Sequence, residues 1–349
     1  MTPPEPTAGN PSGRAVGSDW PGVRLHVVTG KGGTGKSTVA AALALALASQ
    51  GKDVLLCEVE GRQGIARMFD VDPLPYEERR IATGLTDEQG HHGTVHALHI
   101  DPESALLEYL AMYYKLGRAG RALDRFGVVE FATTIAPGVR DVLLTGKVYE
   151  AAKPGPRRGK NSRQYDAVVL DAPPTGRIAQ FLGVNSELAG LAKVGPIRSQ
   201  ADAVMELFRS RRTRVHLVTV LEEMPVQETI DGIAELSEAG MPVGGVVVNL
   251  TRPRDLTDTT LQTVREGTLD TETVVADLKS AGIEVDDGLV TGLLTEARDH
   301  AERRALEDSQ RALVAELDVP SYELPRLAGG VDLGGLYELA DALRKQGMA

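Results

Sequence analysis

The run Gly30-Lys31-Gly32-Gly33-Thr34-Gly35-Lys36-Ser37-Thr38 decides the fold of this chain. It fits the phosphate-binding pattern G-x-x-x-x-G-K-[ST] through Gly30, Gly35, Lys36 and Ser37. Before it, Leu25-His26-Val27-Val28-Thr29 reads as a short buried strand. After it, Val39 to Ala48, made of alanine, leucine and one valine, reads as a helix. In that order the glycines let the loop backbone close around phosphate oxygens, and the helix N-terminus aims its free N–H groups at them. Gly32, Gly33, Thr34, Gly35, Lys36, Ser37 and Thr38 are then the nucleotide-holding residues. Lys36 reaches the β- and γ-phosphates, and Ser37 holds Mg²⁺.

Composition sets the outer bounds. The 349 residues fit one large α/β unit with insertions, and 42% hydrophobic residues supply a sizeable core. Aromatics at 4% leave no stacking platform for single-stranded nucleic acid, and a net charge of −11 argues against a general binder of DNA or anionic membranes. A single cysteine, Cys57, excludes a disulfide framework within the chain and any multi-cysteine metal or iron–sulfur site made by one chain. It fits a cytoplasmic protein. Residues 1–22 open with a run rich in Pro, Gly, Ser and Thr and read as a disordered tail ahead of an ATPase domain over 23–349. The longest apolar run, Val39 to Ala48, is too short to span a bilayer.

Strand-like and helical runs alternate along the chain, the pattern of a doubly wound, mainly parallel α/β sheet. The strands are expected at Leu25–Thr29, Asp53–Val59, Thr94–Ile100, Asp166–Leu170, Val215–Val220, Val243–Val248 and Tyr322–Leu324. Most are continuous Val/Leu runs, as strands buried on both faces require. Helical cap insertions are expected over about 101–152 and 181–212. An acidic insertion is expected at about 255–288, with a helix near Thr271–Ala281. A charged helix should run from Glu296 to Leu317, and Leu336, Leu339, Ala340 and Leu343 give a last helix an apolar face that docks on the sheet. Residues 153–163 carry five positive charges and no apolar side chain, a solvated loop. His96 and His99 fall on opposite faces of their strand, which argues against a metal site there.

Two further motifs complete the reading. Val168-Val169-Leu170-Asp171 ends a strand in a carboxylate at the edge where α/β proteins bind ligands. Ala172-Pro173-Pro174-Thr175-Gly176-Arg177 then forms a stiff turn opening a helix. Val246-Val247-Val248-Asn249 ends another strand in an amide, able to pair with both the donor and the acceptor of adenine or to cap a loop.

Together these segments resemble the arsenite pump-driving and tail-anchored-protein-targeting ATPases, P-loop enzymes with a deviant Walker A loop. The form G-K-G-G-x-G-K-[ST] carries the family's extra lysine at Lys31, which the resemblance sends across a dimer interface to the partner's nucleotide. Asp171 to Arg177 is similar to the family's switch II motif D-x-A-P-T-G-H, with Pro173 for Ala and Arg177 for His. This makes Pro174, Thr175 and Gly176 switch residues, and Asp171 a Mg²⁺ residue acting through water. The family's water-orienting Asp of D-P-A-H falls on Glu60, followed by Gly61 and Arg62. Glu60 keeps the charge on a longer side chain, Gly61 removes the stiff proline, and Arg62 adds a γ-phosphate contact. A lesser alternative makes Glu60 a Mg²⁺-side or structural carboxylate. Asn249 takes the family's adenine-binding place, and Glu323-Leu324-Pro325-Arg326 resembles the late loop whose proline packs on the base. The likeness runs from about 24 to 346 and is strongest to an actinobacterial subgroup described as anion-transporting ATPases.

The resemblance implies a Mg²⁺-dependent ATPase that binds ATP and ADP, works as a homodimer or as a heterodimer with a paralogue, and moves a client protein. It also admits a nucleotide-gated interaction module with little hydrolysis. Arsenite binding through several cysteines, a zinc site across the dimer and an iron–sulfur bridge all lack their ligands here. The mixed charges of the last helix argue against stable membrane insertion.

Overall fold

The computed structural model describes residues 18–60, 63–86, 92–114, 137–153, 163–191, 196–253 and 256–349. Eight strands build one sheet: β1 (Leu25–Gly30), β2 (Val54–Glu58), β3 (Arg79–Thr83), β4 (Thr94–His99), β5 (Ala167–Asp171), β6 (Thr213–Thr219), β7 (Val243–Thr251) and β8 (Ser321–Pro325). Their order is β3-β4-β2-β5-β1-β6-β7-β8, and every neighbouring pair is parallel except β3–β4. The seven strands read in the sequence are all present. The eighth, β3, is an antiparallel edge strand whose Arg79-Arg80-Ile81-Ala82-Thr83 has no continuous apolar run to announce it.

Helices cover both faces. On one, α1 (Lys36–Ala48) is buried along its whole apolar length, because small alanines let the sheet and α11 (Leu333–Lys345) close on it from opposite sides. Leu336, Leu339, Ala340 and Leu343 form the buried stripe of α11. On the other face, Leu144 and Val148 of α4 (Pro137–Ala152), Ile178, Phe181 and Leu182 of α5 (Thr175–Leu191) and Val204 and Phe208 of α6 (Pro196–Phe208) pack on Leu25, Val27, Leu55 and Leu170. These three helices form a covering layer on this face of the sheet. The short α2 (Gly64–Met68) follows β2, and α3 (Pro102–Tyr114) precedes residues 115–136, which lie outside the described residues.

The acidic stretch is helical: α8 (Asp258–Arg265), α9 (Thr271–Ser280) and the start of α10 (Asp287–Ala315). Asp270 and Asp286 cap α9 and α10 by accepting from backbone N–H groups. None of the residues of α9 is buried. Arg304 of α10 is buried between Glu307 (3.0 Å) and Asp308 (3.2 Å), and Glu307 also takes Arg252 at 2.7 Å, which ties α10 to the chain just after β7. α7 (Glu223–Glu238) packs between α10 and the sheet through Val226. Residues 18–22, at the end of the stretch read as tail, are tied down. Asp19 accepts from the Tyr322 hydroxyl at 2.7 Å, its N–H donates to the Gly347 carbonyl, and Trp20 meets the His216 ring edge-on. One large aromatic among small polar residues anchors this part of the chain.

His26 of β1 and His216 of β6 stack inside the sheet, 5.3 Å between ring centres. Gly244 leaves the room: a Cβ there would sit 2.6 Å from His216 Nδ1. The Gly245 N–H donates to His216 Nδ1, so the His216 proton is on Nε2, which donates to His26 Nδ1 at 3.1 Å. The His26 proton is then on Nε2, which has no partner among the described residues. A second proton on either ring would face another N–H. Both rings are held neutral by the bonds that fix them. Burial, then the charges of His216, Lys52 and Arg214, push His26 well below its ordinary 6.5. Burial and Arg214 push His216 down to about 3.

Candidate functional site

The loop from Gly30 to Gly35 joins the end of β1 to the start of α1 at the carboxyl edge of the sheet. Gly30 and Gly35 have φ of +153° and +87°. A Cβ on Gly30 would strike the Val218 carbonyl, and one on Gly35 would strike the Asn249 amide. Gly35 is the N-cap of α1 and supplies no side-chain acceptor, so the first N–H groups of a 13-residue helix are left for an anion. The Thr34 hydroxyl donates to the Lys31 carbonyl at 2.9 Å and braces the loop from within.

Asp171 ends β5 beside this loop, and the Ser37 hydroxyl donates to its Oδ2 at 2.5 Å. Burial pushes the Asp171 carboxyl up to about 6. The Ser37 hydrogen bond and the Lys36 charge oppose this, while Glu58 and Glu60 reinforce it. Three carboxylates thus share the edge, and their repulsion is what a divalent cation relieves. A hydroxyl and a carboxylate, with room for water, also suit Mg²⁺, which keeps much of its hydration when bound.

Beyond Asp171 the chain turns sharply. The Thr29 hydroxyl donates to the Pro173 carbonyl at 2.7 Å, and the Ala172 N–H to the Val28 carbonyl at 3.0 Å. Pro174 leads into α5, whose first residues are Thr175 and Gly176. The Thr175 hydroxyl is buried with no partner among the described residues. Gly232 makes space for Thr175, because a Cβ there would overlap its methyl group.

The structure adds two residues to those expected. Lys31 Nζ donates to Glu228 Oε1 of α7 at 2.6 Å within the same chain. Glu58 ends β2, in register with Asp171 of β5 on one side and His99 of β4 on the other. Its Oε1 accepts the Gly64 N–H at 2.8 Å. Glu-x-Glu at a strand end was the visible signal for Glu58, since residues two apart share a face. Nothing local marks the Lys31–Glu228 pair. Glu60 lies partly buried at the same edge, and Arg62 lies outside the described residues. Gln63 clamps the following turn: its amide donates to the Leu74 carbonyl at 3.2 Å and accepts the Leu74 N–H at 2.8 Å. Asn249 is buried and donates to the Thr34 carbonyl at 2.9 Å, so it buttresses the glycine loop. Pro325 ends β8 and Arg326 donates its N–H to the Thr251 carbonyl; both side chains are exposed.

Among the described residues no helix is long and apolar enough to cross a membrane. Comparison with known proteins agrees with the geometry. The family model of the anion-transporting ATPases matches residues 23–210. The chain is 53% identical over 341 residues to the ATPase BagA of Mycobacterium tuberculosis, covering 96% of this chain and 97% of that one. It is 26% identical over 278 residues to the ATPase get3 of Aspergillus niger (78% and 73% covered), and 28% identical over 242 residues to the arsenical pump-driving ATPase of Acidiphilium multivorum (63% and 38% covered). With a glycine loop on an uncapped helix, a Ser–Asp edge beside it and a match over more than half its length, the chain belongs to the anion-transporting ATPase family.

Proposed function

We propose that this ATPase is Mg²⁺-dependent and closes as a dimer around its nucleotide to act on a client or partner protein. The observation that carries the reading is the convergence of Lys36, Ser37 and Asp171 at the free N-terminus of α1. There the loop N–H groups and Lys36 hold the β- and γ-phosphates, and Ser37 and Asp171 hold the ion, Asp171 through water. When bound, Mg²⁺ supplies positive charge against the phosphate oxygens. Glu60 orients the attacking water. Asn249, Pro325 and Arg326 form the base end once Asn249 shares its amide with the nucleotide.

Turnover tests the assignment of Glu60. Glu60→Gln keeps shape and hydrogen-bonding reach but removes the charge. It is expected to leave ATP affinity nearly intact and to lower single-turnover hydrolysis by ~10²-fold. Equal rates in variant and wild type would give the role to another residue. Slow hydrolysis in both, with nucleotide-dependent partner binding, would favour the gated-module reading that the Asp-to-Glu change in the family's pattern suggests.

Lys31 supports the dimer. It does not need to serve the local phosphates, because Lys36 covers that edge, and in the lone chain it is spent on Glu228. That pair is about one-third exposed at both ends, 31% and 37%, so it contributes at most about 1 kcal/mol and yields readily to a triphosphate. Lys31→Ala is expected to retain ATP binding and to lose nucleotide-dependent tightening of the dimer. Light scattering with a non-hydrolysable ATP analogue, on the chain alone and mixed with a paralogue, reads this directly. A wild type that stays monomeric under every condition would sink the idea.

A further inference from the structure

Among the described residues at this edge, Glu58 is a carboxylate whose environment is half finished. Its side chain is buried, with 3% exposure. Oε1 is satisfied by the Gly64 N–H, at the turn that follows Glu60, Gly61 and Arg62. Oε2 has no hydrogen-bond partner among the described residues. On one flank, His99 Nδ1 stands 3.6 Å away, beyond hydrogen-bonding distance but within ion-pair reach of a protonated ring, and it makes no hydrogen bond among the described residues. On the other flank is Asp171. In-register residues on neighbouring parallel strands sit about 4.8 Å apart with side chains on the same face, so Glu58 and Asp171 lie side by side.

A buried carboxylate oxygen with no donor carries a large desolvation cost, and here it also repels Asp171. Among the described residues neither cost is offset in full: Ser37 and Lys36 act on Asp171, and Glu58 Oε2 has the His99 ring at ion-pair distance but no hydrogen bond. A cation at Ser37 and Asp171, with its bound waters, would offset both, because waters on the ion donate hydrogen bonds to carboxylates around it. The other oxygen of the same carboxylate holds the turn after Glu60.

We propose that Glu58 is a positioning residue of the ATPase site: its free oxygen accepts from the hydration shell of the nucleotide's Mg²⁺, while its other oxygen fixes the switch I turn through Gly64. One rigid carboxylate then links arrival of the ion to the setting of the segment that carries Glu60. The inference rests on the Mg²⁺-dependent ATPase reading above and deepens it.

Glu58→Gln separates the two halves of the role. The amide carbonyl can still accept from Gly64, but the second atom becomes a neutral donor that cannot accept from metal-bound water. The readout is thermal stabilisation by ATP as a function of Mg²⁺ concentration in the full chain, with an EDTA arm for metal-free ATP. The expected result is a rise of ~10-fold or more in half-saturating Mg²⁺, with ATP affinity in EDTA unchanged within about two-fold. A purely structural role would lower the melting temperature of the free chain and leave the Mg²⁺ midpoint in place. That outcome, or superimposable Mg²⁺ curves, overturns the inference. If Glu58→Gln does not fold, Glu58→Asp retracts the carboxylate by one methylene while keeping its charge. It must move the midpoint in the same direction, and an unmoved midpoint is again fatal. A wild type whose ATP response ignores Mg²⁺ refutes the metal reading of Ser37 and Asp171 and this inference with it. A Mg²⁺-responsive wild type beside an unshifted variant refutes Glu58 alone.

Discussion

In Lys36→Ala, MgATP is expected to give almost no thermal stabilisation. A ligand that binds only the folded state adds RT ln(1 + [L]/Kd), about 4.1 kcal/mol at 1,000 Kd. Lys36 is the first residue of α1 and the cation closest in sequence to Ser37. Its charge acts on Asp171 in the free chain and would act on the β- and γ-phosphates in the complex. The substitution should not unfold the protein, because alanine is the best helix former and the rest of α1 stays buried. Melting with and without MgATP decides it: the free variant should match the free wild type within about 1 kcal/mol while the ligand-induced shift vanishes. An undiminished shift would place the nucleotide elsewhere.

Acid should destabilise the nucleotide-free protein well before its carboxylates as a class titrate. His26 and His216 are lowered in the folded state, His216 to about 3, and return to about 6.5 on unfolding. Below pH 6.5 the unfolded chain therefore binds protons that the folded one refuses, and stability falls with pH. Each such group costs about 1.4 kcal/mol per pH unit. Asp171 has the opposite sign. Its carboxyl is raised to about 6 from 3.8, so between those values the folded state takes up a proton first and recovers part of the loss. The smaller shifts of His96, downward, and Asp141, upward, oppose each other. With the uptake by Asp171 set against that of the two histidines, the net slope is about one proton from pH 6.5 down to pH 5, a loss on the order of 3 kcal/mol by pH 5. Denaturant unfolding at a series of pH values measures it. His26→Leu should be less stable at pH 8, where His216 loses its acceptor, yet show a slope smaller by about one proton. Stability that rises on acidification would contradict the buried neutral pair.

What could be read in the sequence was local. The phosphate loop, Asp171 and the Asp-Ala-Pro-Pro-Thr-Gly turn declare themselves because glycines, prolines and a strand-end carboxylate have few other uses in that order. The stripe of α11 is legible at helical spacing, and the seven buried strands as apolar runs. What escaped depends on partners far along the chain or on burial by degree. β3 is a half-buried edge carrying two arginines. α10 begins at Asp287, ahead of the charged run that marks its middle, because Leu289 and Leu293 are exposed and leave no clean stripe. Asn249 meets Thr34 across 215 residues, Lys31 meets Glu228 across 197, and His26 meets His216 across 190. Lys31 and Asn249 stand out in their own motifs, but the partner of each does not, and only the strand order makes the pairs neighbours.

The burial of α1 has a consequence for where motion can live. Val39 to Ala48 have no exposed face, with the sheet beneath them and α11 above. A helix clamped on both sides at close packing cannot tilt without opening a void under one neighbour and overlapping the other. The phosphate-bearing end of the molecule is thus an anvil and not a spring. On the function proposed above, motion driven by the nucleotide would leave through the pieces hung on the rim: the turn held by Glu58 and Gln63, the proline turn after Asp171, and the lysine parked on Glu228. Each is retained by one to three polar bonds, so the chain keeps its deformable parts at its edge and its reference frame at its centre.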